Sequence, residues 1–185
     1  MQPKPLKWWQ KIIIQLIKPS IVLTPSPLLQ SMLDNMKVKN RLLPLFTDLS
    51  KFRPIMNKEE KQKLRIKYGI NNDAFVVSHM GHLSEGRNLR SLVKLQKAGC
   101  QVVVVASSST PLDSKGPNSI KQGLEESGII IIDRYIENIQ EIYQLSDCYI
   151  FPVIEPNSSI GLPLSILEAR ACGISVITTD YGSVK

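Results

Sequence analysis

Two loops of the sequence carry the residues best suited to chemistry, and both have features of a phosphate-binding site. The first loop runs from Gly81 to Asn88 and contains His82 and Arg87. It follows an apolar run, Phe75 to His79, that is typical of a buried strand. Backbone N–H groups of a glycine-containing turn and an arginine guanidinium are strong donors to phosphate oxygens. The loop therefore predicts an anion cradle, and the alternative is an ordinary turn with a solvated arginine.

The spacing of this loop is close to that of a Walker A nucleotide-binding loop, but it departs from that motif at two residues. Arg87 and Asn88 stand where the motif has Lys followed by Ser or Thr. The hydroxyl that binds magnesium is therefore missing, which disfavours a nucleotide-triphosphate switch. Turnover of a nucleotide triphosphate with magnesium would restore that alternative.

The second loop, Pro152 to Pro163, leads from another apolar strand into a helix predicted over Leu164 to Cys172. The first N–H groups of a helix lack partners within the helix, and the helix dipole attracts anions. Glu168 lies one turn into this helix among apolar residues, where an unpartnered carboxylate would be costly. Ribose hydroxyls are suitable partners for such an acceptor. The alternative is that Glu168 only interacts with the helix dipole, which contributes about 0.3–1 kcal/mol.

Both loops belong to a predicted repeat of alternating helices and strands. Continuous apolar runs are typical of strands that are covered on both faces of a parallel sheet. Several of the runs follow a helical segment that ends at a glycine, the residue best suited to a left-handed C-cap. The runs are Phe75–His79, Val102–Val105, Ile129–Ile132, Tyr149–Phe151 and Ser175–Thr178, and the glycines are Gly69, Gly99, Gly128 and Gly173. The pattern predicts an α/β fold with a Rossmann-like, doubly wound parallel sheet.

The first 54 residues do not fit this repeat. An amphipathic segment from Leu6 to Ile17 precedes a short strand near Ile21, a helix near Leu28 to Met36 and a strand near Leu42 to Phe46. Two strands and two helices cannot bury their apolar faces alone. We interpret residues 1–54 as the remnant of a second α/β domain plus a linker, and residues 55–185 as the main domain.

Composition is typical of a folded globular chain and narrows the possible partners. The net charge is +7, but the basic excess is local, because residues 1–68 carry a net +10 and the remainder −3. Aromatic residues make up 6% and no groove-reading motif accompanies the charge, so nucleic acid is not an expected partner. The three cysteines lack metal-ligand spacing and are expected to be reduced, which favours a cytoplasmic location. Trp8 and Trp9 among lysines indicate either packing against another domain or peripheral contact with a membrane.

One passage makes a family resemblance specific. Residues 161–177, GLPLSILEARACGISVI, resemble the G-L-P…L-E-A-M-A-C-G-x-P-V-V signature of group 1 glycosyltransferases, with Arg170 in place of Met and Ser175 in place of Pro. Residues 43–54 resemble the family's interdomain segment, residues 76–88 its G-R-L…K-G phosphate loop, and residues 142–152 its L-Y-x-x-A-D…P-S segment. The resemblance implies the donor-binding C-terminal domain of a retaining enzyme of GT-B fold, of which this chain covers a part.

The resemblance also implies roles for individual residues. Three of them, Glu168, Arg87 and His82, would be the catalytic contacts, Glu168 on the donor ribose and the other two on the diphosphate. Tyr135 and Ile136 follow the third strand at the edge where the family seats the nucleobase. The remaining donor contacts would come from Gly81, Gly161, Leu162, Leu164 and Ser165, near the phosphates and the sugar. No metal or other cofactor is implied.

The implied reaction transfers a sugar from a nucleotide-diphosphate donor to a hydroxyl of a glycan or lipid-linked acceptor, with retention of configuration. One motif residue departs from the family, because Ile160 stands where a glutamate precedes Glu168 by eight positions. Glu155 is the nearest upstream carboxylate and could replace it. As part of a two-domain enzyme, the chain is expected to be inactive alone. The alternative is a non-catalytic nucleotide-sugar-binding subunit that docks on a membrane or on an acceptor-binding partner.

Overall fold

The computed structural model describes residues 7–17, 19–107, 116–155, 158–182 and 184, whose strands form two separate sheets. The first is small and contains β1 (Val22–Thr24) and β2 (Asn40–Leu42), paired in parallel. Helix α1 (Trp8–Ile17) precedes this sheet, and α2 (Pro27–Asn35) connects its two strands. Ser26 caps α2 by accepting a hydrogen bond from the Leu29 N–H at 3.3 Å. Among the described residues, no helix has the length and apolar character needed to cross a bilayer.

Strand β2 lies earlier in the chain than the sequence predicts. The expected strand near Leu42 to Phe46 is observed at Asn40–Leu42, and the chain leaves the sheet soon afterwards. Leu43 still donates its N–H to the Thr24 carbonyl at 2.8 Å, but Pro44 has no N–H with which to continue the ladder. The apolar residues from Leu43 to Phe46 therefore belong to a loop that leads toward the second sheet.

The second sheet has five parallel strands in the order β5-β4-β3-β6-β7. Its strands are β3 (Val76–Gly81), β4 (Gln101–Ala106), β5 (Ile130–Ile132), β6 (Cys148–Phe151) and β7 (Ser175–Thr178). Its helices are α3 (Lys58–Lys67), α4 (Leu92–Lys97), α5 (Gly116–Glu125), α6 (Gln140–Leu145) and α7 (Leu164–Ala171). The order is that of a doubly wound sheet, in which the chain builds outward in both directions from its central pair. The predicted Rossmann-like α/β fold is confirmed.

Each face of this sheet has its own apolar core, because successive strand residues point to opposite faces. On β4, Val103 and Val105 join one core, whereas Val102 and Val104 join the other. The first core includes side chains from α6 and α7, and the second includes side chains from α4 and α5. The strands therefore read as continuous apolar runs, as the sequence indicates.

The helices of this unit begin and end where the local sequence supplies caps. The Asn57 side chain accepts a hydrogen bond from the Glu59 N–H at 2.8 Å and caps α3. The four glycines predicted as C-caps all have positive φ, namely Gly69 (68°), Gly99 (94°), Gly128 (83°) and Gly173 (75°). These caps turn the chain back toward the next strand, and each βα loop is thereby placed at the carboxyl edge of the sheet.

The segment that connects the two units packs on the second one. Phe52 is buried in the core of the five-stranded sheet and lies edge-on to Tyr143, with ring centroids 6.0 Å apart. The Gln144 amide donates to the Arg53 carbonyl at 2.9 Å, and Pro54 lies against Gly173. The linker is thus held firmly beside α6 and α7.

A buried arginine closes the amino edge of the sheet. Arg65 is 6% exposed, and its guanidinium donates to the carbonyls of Leu145, Asn72 and Ala74 at 3.0, 2.6 and 3.1 Å. It also donates to Asp147 Oδ2 at 2.7 Å. Burial raises the pKa of Asp147, but hydrogen bonds from Lys61 and from the Val76 N–H outweigh it and leave that pKa below its usual value. Arg65 therefore finds its counter-charge within the fold.

Candidate functional site

The two loops singled out in the sequence leave the sheet at its topological switch point. Strands β3 and β6 are neighbours, and the chain proceeds from them toward opposite edges of the sheet. A crevice at the carboxyl ends of such a central pair is the general ligand site of doubly wound sheets. The loop after Gly81 and the loop after Phe151 both begin there. The topology therefore brings the predicted anion-binding turns to one place.

Direct contacts join the two loops. The Glu155 N–H donates to the Gly86 carbonyl at 3.4 Å. A Cβ placed on Gly86 would lie 1.9 Å from Ser158 Oγ and 2.6 Å from Glu155 Oε2. Only a residue without a side chain allows the loops to approach this closely. Asn157, which belongs to the second loop, lies outside the described residues.

Arg87 lies at the centre of the first loop and is 7% exposed. It ends a short 3₁₀ turn, Glu85–Arg87, and Asn88 then takes a left-handed conformation with φ of 56°. The guanidinium occupies the space left by the missing side chain of Gly81, where a Cβ would lie 2.1 Å from Nη1. Gly81 therefore makes room for the arginine.

The buried guanidinium of Arg87 has no internal counter-charge among the described residues. No carboxylate there forms an ion pair with it, and its Nε has no hydrogen-bond partner. Burial lowers the pKa of Arg87, and the nearby hydroxyls of Tyr149 and Tyr181 partly oppose that shift. A buried cation without a partner is costly in free energy. An external anion at this position would remove that cost.

Glu168 is half-buried on α7 and is held by a tyrosine. The buried Tyr143 hydroxyl donates to Glu168 Oε2 at 2.6 Å, and burial raises the pKa of Tyr143. Among the described residues, no hydrogen bond to Glu168 Oε1 is formed. The carboxylate is therefore oriented through one oxygen, and the second oxygen can accept a donor from a ligand.

Tyr149 connects Arg87, Glu168 and the start of α7. Its hydroxyl donates to Ser165 Oγ at 2.8 Å, which fixes the first turn of that helix. Burial raises the pKa of Tyr149 to about 12, and Arg87 lowers it while Glu168 raises it. Both charged groups therefore influence the same buried hydroxyl electrostatically. The structure brings together Gly81, Arg87, Ser165 and Glu168, all singled out in the sequence.

The second loop presents its remaining predicted residues on the surface of the same edge. Gly161 and Leu162 are half-buried, Leu164 is exposed at the first position of α7, and Pro163 is buried before it. The Ile166 N–H donates to the Pro163 carbonyl at 3.2 Å, whereas the first two N–H groups of α7, those of Leu164 and Ser165, have no hydrogen-bond partner among the described residues. They are available to an anion that enters between the loops.

Three predicted residues lie at the carboxyl edge without contacts that tie them to this group. His82 is half-buried directly after β3, and Ile136 packs against the core beyond β5. Tyr135 is 87% exposed. Their positions are compatible with the roles implied by the resemblance, and those roles stay predictions.

The glutamate that the resemblance places at position 160 has no counterpart there. Ile160 is exposed, whereas the Glu155 carboxylate lies against Gly86 of the first loop. Glu155 is thus the acidic group that the second loop places next to the first.

Sequence reasoning missed three tyrosines and a histidine. Tyr143, Tyr149 and Tyr181 are all buried with hydrogen-bonded hydroxyls at this edge. These tyrosines could have been found from their position within or beside apolar runs of the sequence. A buried tyrosine hydroxyl needs a hydrogen-bond partner. His79 on β3 is also buried, donates from Nδ1 to the Ile150 carbonyl at 2.9 Å, and leaves Nε2 without a partner.

The described residues contain no group of three or more His, Cys, Asp or Glu side chains arranged to hold a metal ion. The donors at this edge are a guanidinium, backbone N–H groups and hydroxyls. Donors of this kind suit phosphate oxygens.

Comparison with known proteins identifies a family. A family model described as glycosyl transferases group 1 matches residues 74–185. That range contains the whole five-stranded sheet and both loops. Among curated protein sequences, none matches significantly.

Solved structures resemble nearly the whole chain. A glycosyltransferase from Rickettsia africae has a TM-score of 0.77 at 20% identity, over 99% of this chain and 51% of that one. Anabaena HepE in complex with UDP-glucose has a TM-score of 0.74 at 17% identity, over 93% and 48%. Sucrose-phosphate synthase from Thermosynechococcus elongatus has a TM-score of 0.71 at 20% identity, over 97% and 46%. The chain thus spans about half the length of these proteins and shares their fold.

Proposed function

The chain belongs to the group 1 glycosyltransferases, and on that premise we propose that its five-stranded domain binds a nucleotide-diphosphate sugar between the two loops. The observation that carries the proposal is the buried Arg87 guanidinium, which has no internal counter-charge among the described residues. The donor diphosphate would supply that charge. Anabaena HepE, a protein of the same fold, has been solved with UDP-glucose.

The proposed reaction is transfer of the sugar to an acceptor hydroxyl with its anomeric configuration retained. The bond between the anomeric carbon and the diphosphate oxygen breaks, a bond to the acceptor oxygen forms, and the acceptor proton is released. The diphosphate departs with the bonding electron pair, so its negative charge grows. Arg87 and the first N–H groups of α7 would stabilise that charge. We propose that this stabilisation operates without an obligatory metal ion.

Glu168 would hold the donor through its free carboxylate oxygen. The Tyr143 hydroxyl already holds the other oxygen at 2.6 Å, so the Glu168 carboxylate is oriented before the ligand binds. Ribose hydroxyls are donors of the required kind. Tyr135 and Ile136 would lie beside the nucleobase, and His82 beside the phosphates.

A thermal-shift panel tests the proposal. A ligand that binds only the folded state raises its stability by mass action. UDP-, GDP- and ADP-glucose, the corresponding nucleoside diphosphates and inorganic pyrophosphate would be compared at equal concentration. We expect at least one nucleoside diphosphate to raise the Tm, and pyrophosphate to do so more weakly. If no member of the panel raises the Tm, the donor site is contradicted.

A second candidate function is that of a donor-binding subunit that docks on a partner. The apolar surface of the described part of residues 1–54 favours it. Trp8, Leu16, Ile17 and Phe46 are largely exposed. An apolar surface of this kind fits an acceptor-binding protein or, with the neighbouring lysines, a membrane surface. Gel filtration separates the possibilities, since a monodisperse species favours a subunit and aggregation favours a piece of a larger fold. Co-sedimentation with anionic vesicles tests the membrane contact.

A further inference from the structure

Tyr181 lies after the last strand and belongs to neither anion-binding loop, yet it is hydrogen-bonded to one of them. The side chain is 3% exposed. Its hydroxyl accepts a hydrogen bond from the Ser159 N–H at 3.0 Å and donates to the Ser159 carbonyl at 2.8 Å. One side chain therefore satisfies both backbone groups of a single loop residue.

The ring of Tyr181 is itself fixed at the start of that loop. It packs edge-on against Phe151, the last residue of β6, with centroids 6.1 Å apart and planes at 63°. The hydroxyl consequently reaches Ser159 from a rigid base in the sheet.

Neighbouring residues of the same segment hold the loop at two more points. The Thr179 hydroxyl donates to the Val153 carbonyl. Gly182 has φ of 60°, and a Cβ there would lie 2.2 Å from the Gly161 carbonyl oxygen. Residues 179–182 thus contact the loop near its beginning, its middle and its end.

The loop residue that Tyr181 holds is next to the point where the two loops meet, since a Cβ on Gly86 would lie 1.9 Å from Oγ of Ser158. Arg87 experiences the hydroxyls of Tyr149 and Tyr181, and both partly oppose the effect of burial on the pKa of Arg87. Tyr149 binds Ser165 at the start of α7, and Tyr181 binds Ser159 five residues before α7. The loop that carries Arg87 therefore contacts, through Gly86, a loop that is anchored on two tyrosine hydroxyls.

We infer that Tyr181 is a positioning residue of the anion site, which holds Ser159 so that the loop before α7 keeps its diphosphate-binding shape opposite Arg87. The inference rests on the proposed donor site and adds to it the segment after β7. Tyr181 itself does not contact the diphosphate, and its effect passes through the loop backbone.

The test compares Tyr181→Phe with Tyr68→Phe by isothermal titration. Tyr181→Phe keeps the ring against Phe151 but removes both hydrogen bonds to Ser159. Tyr68→Phe is the matched control, because it removes the hydroxyl bond to Glu141 at 2.8 Å on α6. The probes are inorganic pyrophosphate, the nucleoside diphosphate among UDP, GDP and ADP that most stabilises the wild type, and its parent nucleoside.

For Tyr181→Phe we expect about a tenfold loss of affinity for pyrophosphate and for the nucleoside diphosphate, the equivalent of one or two hydrogen bonds. Affinity for the parent nucleoside should not change, which separates a positioning role from general loss of structure. Tyr68→Phe should leave all three affinities at the wild-type values.

Three outcomes would overturn the inference. Equal diphosphate affinity of wild type and Tyr181→Phe overturns the inference and leaves the donor site intact. Failure of the wild type to bind any diphosphate overturns both. If Tyr181→Phe does not fold, amide hydrogen exchange of the wild type decides, since slow exchange of the Ser159 N–H supports the anchor and exchange at the rate of an open loop contradicts it.

Discussion

Two buried arginines occupy opposite ends of the same sheet and differ in what surrounds them. Arg65 and Arg87 are equally inaccessible, at 6% and 7% exposure. Arg65 donates to three carbonyls and to Asp147, whereas the Arg87 Nε has no partner and no described carboxylate pairs with that guanidinium. The charge of the arginine at the amino edge is therefore balanced within the fold, whereas no described carboxylate balances the charge of the arginine at the carboxyl edge. The first arrangement stabilises the fold, and the second is available for binding.

Removal of Arg65 should have the largest effect on stability. Arg65→Ala removes the buried one of the two basic partners of Asp147, with Lys61 remaining, and leaves three carbonyls without a donor. Breaking a buried pair on one side typically costs about 3–5 kcal/mol. We expect the free energy of unfolding, measured by urea denaturation, to fall by about that amount. Lys67→Ala is the control, because its pair with Glu141 is solvent-exposed on the lysine side and should cost less than about 1 kcal/mol.

Comparable stability of Arg65→Ala and Lys67→Ala would mean that the contacts of Arg65 do not stabilise the fold, which contradicts the contrast with Arg87. The folded fraction of Arg65→Ala should still bind the diphosphate with wild-type affinity. A specific loss of binding in that variant would also contradict the division of roles.

Acid should weaken the fold through His79, which lies on β3 between the two arginines. Burial lowers the pKa of His79 to about 4, its hydrogen bond to the Ile150 carbonyl opposes this, and Arg87 adds to it. Because the folded pKa is below the unfolded value of about 6.5, stability is complete above pH 6.5 and is lost as the pH falls toward 4. The shift corresponds to a loss on the order of 3 kcal/mol.

Urea denaturation at pH 7, 6 and 5 measures this dependence. At pH 5 and above, Asp147 and Glu141 contribute little, because their pKa values lie below the usual carboxyl range. His79→Gln should be less stable at pH 7, but its free energy of unfolding should no longer fall between pH 7 and pH 5. A wild-type unfolding free energy that is constant from pH 7 to 5 would show that His79 titrates normally in the fold.

A side chain at Gly86 should separate the two loops of the open edge. Gly86→Ala places a methyl group 1.9 Å from Ser158 Oγ, so the second loop must move. Overpacking of this kind typically costs about 1–3 kcal/mol, and at a loop we expect the lower end. Diphosphate affinity should fall about tenfold or more, as measured by titration calorimetry. Gly123→Ala is the control, since the nearest atom there is 3.8 Å from the added Cβ. Unchanged affinity of Gly86→Ala would show that loop approach does not matter for binding.

The fold and the position of the candidate site follow from local sequence. The burial of Arg87 and its lack of an ion pair do not. Apolar runs place the strands of the five-stranded sheet within one or two residues, and parallel topology then requires the loops after β3 and β6 to meet. Arg87 is buried in the space left at Gly81, six residues away, and no described carboxylate forms an ion pair with it. The bond from Tyr143 to Glu168 spans 25 residues and two helices. Such facts depend on packing between elements, which no local pattern encodes.

The claim that Arg87 is held for an external anion is tested most directly by the affinity of Arg87→Met for pyrophosphate. Titration calorimetry would measure it, with Arg170→Met as the control. Methionine keeps the volume of the buried side chain and removes the charge, and Arg170 is an exposed arginine on α7. We expect Arg87→Met to fold with at least near-wild-type stability and to lose at least tenfold in pyrophosphate affinity, since hydrogen bonds to a charged group contribute about 1.5–3 kcal/mol. Arg170→Met should bind like the wild type. Wild-type affinity of Arg87→Met, or a loss of stability as large as that of Arg65→Ala, would contradict the claim that this arginine is held for an external anion.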